Sequence, residues 1–101
     1  MKLKQALNDA TRIALENNAE VRVFDLRYAT QGIPDEIGDE YVRFPAGSVE
    51  VLETGLLSEP PTSCVELVFP RWIPYSAILE IEVAKKYQEM AFYGIKASSV
   101  L

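Results

Sequence analysis

The stretch Ser76-Ala77-Ile78-Leu79-Glu80-Ile81-Glu82-Val83-Ala84-Lys85-Lys86-Tyr87 supports two readings, and the choice between them decides the fold. Read as the start of a helix over residues 76–94, it has Ser76 as N-cap, carboxylates early, lysines later and Gly94 as terminator. Leu79, Val83, Tyr87 and Met90 then share one narrow face, which Ile81, Ala84 and Ala91 widen. Glu82, Lys85, Lys86 and Glu89 line the opposite side. Read as a strand over 78–83, Leu79-Glu80-Ile81-Glu82-Val83 alternates strictly and is rich in β-branched residues. A shorter helix from Ala84 to Tyr93 would follow it. Capping and charge order favour the long helix.

Immediately upstream, Pro70-Arg71-Trp72-Ile73-Pro74-Tyr75 is the most distinctive segment. Two prolines restrict the backbone on either side of an arginine and a tryptophan, which reduces the entropy cost of fixing those side chains. One use of the segment is a plug for the end of a small core, with Arg71 over an aromatic face or paired with an acid. The other is an exposed interface anchor, because Trp, Tyr and Arg are the residue types most enriched in binding hot spots.

Towards the N-terminus, Leu3, Ala6, Leu7, Ala10, Ile13 and Ala14 recur at helical spacing and predict an amphipathic helix over residues 3–16, ended by Asn17-Asn18. Residues 20–28 read as a strand whose apolar phase changes near Val23-Phe24. That pattern fits either a bulge or a central strand covered on both faces. Tyr41-Val42-Arg43-Phe44, a turn at Pro45–Ser48, and residues 49–57 read as a hairpin. After the break at Ser58–Thr62, residues 63–69 form a strand with Val65, Leu67 and Phe69 as its buried phase. Residues 95–101 read as a loosely held tail.

The chemistry open to the chain is narrow. It has no histidine and one cysteine, Cys64. An internal disulfide, a Cys-only metal site and every His-containing triad are therefore excluded. Its five glycines are isolated and make no phosphate-binding loop. The acidic run Asp35-Glu36-Ile37-Gly38-Asp39-Glu40 fails the calcium-loop template, because its glycine falls at the fourth position instead of the sixth. No catalytic, cofactor-binding or metal-binding residue is assigned, and the expectation is a protein that is not an enzyme. A net charge of −5 argues against nucleic acid as the main partner. No apolar run approaches the roughly 20 residues needed to span a membrane, and the basic start is not followed by the apolar stretch of a signal peptide. With one thiol, the expected location is the cytoplasm.

At 101 residues one domain is expected, covering the whole chain. The expected fold is an α+β two-layer sandwich: an N-terminal helix, one antiparallel sheet of about four strands and a C-terminal helix. The alternative adds a fifth strand at 78–83. The expected function is a small non-catalytic protein–protein interaction or assembly module, with a homodimer as the first guess and a small-molecule or effector-binding domain as the alternative. Arg43, Arg71, Trp72, Tyr75, Tyr87 and Met90 are the candidate interface or ligand contacts.

Overall fold

The computed structural model describes residues 2–54 and 60–86. Tyr87, Met90, the 95–101 tail and the C-terminal helix beyond residue 86 lie outside the described residues.

Helix α1, Lys2–Glu16, is terminated by side-chain and backbone chemistry that the Asn17-Asn18 pair supplies. Asn18 takes a positive φ of 52°, and the Ala19 N–H donates back to Ala14 O at 2.8 Å. Together these reverse the chain and satisfy a carbonyl that the helix end would leave unpaired. Leu7, Ala10 and Ala14 are its buried residues, while Ile13 and Ala6, expected in the same stripe, are exposed. Two of the three buried positions are alanine, which lets the helix axis lie close to the strands beneath.

Among the described residues eight strands follow, all paired antiparallel: β1 Glu20–Asp25, β2 Ala29–Gly32, β3 Glu36–Ile37, β4 Tyr41–Phe44, β5 Val49–Thr54, β6 Pro61–Glu66, β7 Arg71–Pro74 and β8 Ile78–Ala84. They form two sheets, one of five strands in the order β6-β5-β2-β1-β8 and one of three in the order β3-β4-β7. The single-sheet expectation is thus overturned. So is the helix at the start of 76–94: a short 3-10 turn, Tyr75–Ala77, leads directly into strand β8. The period of two wins because β8 pairs along its length with β1. Val23 lies opposite Ile81 and Val21 opposite Val83, so each apolar residue meets another on one face.

The expected strand over 20–28 is cut in half by a tight reversal at Leu26-Arg27. Asp25 makes this turn: its Oδ1 accepts the N–H groups of Arg27 and Tyr28, each at 2.7 Å, and its own N–H donates to Tyr28 O. β1 is then central, with Val21 and Val23 buried on one face and Arg22 on the other.

The expected hairpin of residues 41–57 does not form either. Pro45–Ser48 carries the chain from the small sheet to the large one, because Gly47 and Ser48 bond to Leu67 across the way instead of closing a ladder between β4 and β5. Gly47 holds φ at 97°, a conformation that favours glycine.

The core lies between the sheets under α1. Leu7, Ala10 and Ala14 meet Val21 and Val23 of the large sheet and Val42, Phe44 and Ile73 of the small one. Within the large sheet, one step beyond the Gln31–Val49 pair of β2 and β5, a Cβ on Gly32 would stand 2.5 Å from Ser48 Oγ and 2.9 Å from its Cβ. Gly32→Ala is expected to cost about 1–3 kcal/mol by urea unfolding, and a Ser48→Gly partner substitution to recover most of it.

The β3–β4 hairpin is clipped to the helix. Lys4 Nζ donates to Asp39 Oδ1 at 2.7 Å, holding the Asp39 carboxyl below its ordinary 3.8 and raising the Lys4 ammonium above its ordinary 10.5. The carboxylate contributes stability above its unfolded value and loses it as pH falls through the depressed folded value. The ammonium contributes below 10.5 and loses it only above that. Stability is therefore expected to fall in acid below 3.8, and the pH dependence of the urea midpoint there to be smaller in Lys4→Met.

Candidate functional site

Two arginines in the small sheet are laid over aromatic rings. The Arg71 guanidinium sits 4.3 Å from the Tyr28 ring centroid, and that of Arg43 sits 5.1 Å from the Trp72 ring. Arg71 also donates to Thr30 Oγ1 at 2.9 Å and to Glu50 Oε1 at 2.8 Å, tying β7 to the large sheet. Arg43 lies 3.8 Å from Asp35 and opposite Trp72 in the β4–β7 ladder. The arginines are thus the scaffold of this region, and they fix the planes of two aromatic side chains.

Those side chains open onto a broad apolar surface. Trp72 is 56% exposed, Phe69 77%, Val68 79% and Leu26 80%. This corrects the expected burial of Phe69 and Val65, since only Leu67 of that phase points into the core. The chain bends away from the large sheet after Glu66, which turns Val68 and Phe69 outwards. Tyr75 serves the core side, where it is partly buried and its hydroxyl donates to Gly38 O.

Two depressions flank Trp72. One, of about 550 Å³, is bounded by Val65, Val68, Phe69 and Pro70, with Glu50 and Glu66 in its lining. The other, of about 470 Å³, lies between Tyr28 and Trp72 and is bounded by Leu26, Arg27 and Pro74. Arg71 and Trp72 line both. Of the sequence candidates, Arg43, Arg71 and Trp72 come together here; Tyr75 does not. Leu26, Tyr28, Val68 and Phe69 were missed, since nothing in Asp25-Leu26-Arg27-Tyr28 carries the glycine or asparagine of an ordinary hairpin turn.

β7 is an edge strand, but its edge is closed to strand addition. The Arg43 carbonyl accepts from Asp35 N on the β3 side, and ladder bonds alternate. Val42 and Phe44 therefore bond to Ile73 and Arg71, leaving positions 70, 72 and 74 facing outwards. Two of these are proline, so Trp72 alone supplies an outward N–H. A partner on this surface would meet side chains.

The acidic run is dispersed in the fold. Asp35 faces Arg43, Glu36 accepts from Tyr41, and Asp39 pairs with Lys4. Among the described residues no three Cys, Asp or Glu side chains converge as a metal site, and no helix is long and apolar enough to cross a membrane. No protein-family model matches the chain, and neither a curated protein nor a solved structure matches it significantly.

Proposed function

We propose that this protein is a small non-catalytic interaction module of the cytoplasm whose contact surface is centred on Trp72. The observation that carries this reading is the exposure of Trp72, Phe69, Val68 and Leu26 around the Arg71 scaffold. Single exposed apolar residues are ordinary on protein surfaces, whereas a grouped set with a central tryptophan is typical of a contact. The arginine stacks support it further, because an aromatic anchor held in place before binding loses less entropy on contact.

The test is site-specific photo-crosslinking in the producing cell, with p-benzoylphenylalanine at position 72 and, as a control, at position 12 on the solvent side of α1. A discrete adduct is expected at 72 and none at 12, with the yield at 72 falling in Leu26→Glu and Phe69→Glu. Absence of an adduct at 72 would contradict the reading. A second reading, an effector site, is favoured by the depression between Tyr28 and Trp72, whose 470 Å³ falls within the range of small-ligand pockets. That reading expects a thermal shift with a compound from a metabolite panel, abolished by Tyr28→Ala.

A further inference from the structure

We propose that the second face of the large sheet is an interaction surface for the chain's own C-terminal segment, residues 87–101, which it binds across Arg22 and Gln31. This surface is separate from the one centred on Trp72 and does not depend on it. Strand alternation and register define its membership. Glu82, Arg22, Gln31 and Val49 form one row across β8, β1, β2 and β5. Phe24, Ala29, Val51 and Cys64 form a second across β1, β2, β5 and β6. Helix α1 and the small sheet pack on the opposite face, against Val21 and Val23.

The face is nevertheless dry at its centre. Arg22 and Gln31 have no exposed surface, Ala84 keeps 1% and Val51 7%. Neighbours within a sheet flank a side chain but do not cap it, so an arginine buried to this degree requires a layer above it. Glu66 and Glu80, at the two edges of the same face, are exposed. The layer is therefore narrow, the width of one segment and not of a further sheet.

Two observations name the segment. The chain leaving β8 already turns onto this face, because the Lys85 carbonyl accepts from Gln31 Nε2 at 2.9 Å and Gln31 belongs to β2, beyond β1. The residues that follow include Tyr87, Met90, Phe92, Tyr93 and Ile95, the apolar side chains that a cover needs. Their reach is sufficient. Four gaps of about 4.8 Å make the sheet roughly 19 Å wide, and even at the helical rise of about 1.5 Å per residue some ~13 residues cross it. Residues 55–59 do not compete, since they join β5 to β6 beyond the Thr54–Pro61 pair, at the far end of β5 from Val49.

Cys64, the single cysteine, supplies the test, because it lies on this face in β6 opposite Val51. A second cysteine is introduced in the segment, as Ala91→Cys in one variant and Ser98→Cys in another. Each full-length protein is treated with a short bis-maleimide while dilute, and the products are mapped by mass spectrometry. Circular dichroism establishes that both variants keep the fold. An intramolecular crosslink to Cys64 is expected in at least one variant, forming at least about tenfold faster than in the same protein unfolded in urea, because docking raises the effective concentration of the two thiols. A crosslink no faster than in urea in both variants, or none, overturns the proposal. A crosslink that joins two chains also overturns it, and assigns the face to a second copy.

Discussion

Replacing Phe44 by alanine is expected to remove about 3–5 kcal/mol of stability, measured by urea unfolding. Phe44 is fully buried between the small sheet and the large one, where it meets the core residues of both layers and of α1. The loss has two parts: the transfer free energy of the ring, and the cavity left where Val42, Ile73 and the large sheet cannot collapse inwards. Set against the about 5–15 kcal/mol that holds an ordinary domain folded, this brings the protein close to unfolding at room temperature. Phe69→Ala is the control. The same ring is 77% exposed there, and its removal is expected to change stability by no more than about 0.5 kcal/mol.

The second large effect is expected on the other face of the large sheet. Arg22 is fully buried, donating through Nε to Gln31 Oε1 at 2.8 Å and through Nη1 to Glu82 Oε1 at 2.8 Å. Gln31 is also buried, and its amide donates to Glu20 and to the Lys85 carbonyl, so three neighbouring strands share one polar row. Glu82→Leu takes the carboxylate from a guanidinium that has already left water, and is expected to cost about 3–5 kcal/mol. The Arg22→Leu/Glu82→Leu double substitution removes both charges and is expected to cost clearly less than Glu82→Leu alone. Urea midpoints of the two variants decide this. A double variant weaker than the single one would show that the row is held by something other than charge compensation.

This row also explains where the sequence misleads. Glu80 and Glu82 sit at positions that suit the first turns of a helix, and the lysines that follow suit its end. In the fold, Glu82 is the cross-strand partner of Arg22, an interaction sixty residues distant in sequence. The strict alternation of Ile81, Glu82 and Val83 was the local sign of a strand. Deciding for it required knowledge that Val21 and Val23 present a matching apolar face. Helix α1 was legible because its stripe and its Asn17-Asn18 stop are local. The turn at Leu26-Arg27 was not, since it depends on one aspartate side chain instead of a turn-forming residue. The division into two sheets was hidden for a related reason. Pro45–Ser48 looks like a hairpin loop, and only its bonds to Leu67 reveal that it carries the chain between sheets.

The candidate site was partly legible for the same reasons. The Pro70–Tyr75 segment stood out by composition, and Arg71 over an aromatic ring was among its anticipated uses. Its partner ring, Tyr28, could not be named, because the turn that brings it there was read as the end of a strand. Phe69 and Trp72 lie close in sequence and both are exposed, Phe69 in the bend that follows β6 and Trp72 because it alternates with the buried Ile73 in β7.

The photo-crosslink at position 72, the single tryptophan of the chain, tests most directly the central claim that this exposed face is a contact surface. The account predicts a discrete adduct at position 72, weakened in Leu26→Glu and Phe69→Glu, with circular dichroism showing that each variant keeps its fold. No adduct at position 72 while the protein remains folded would contradict it.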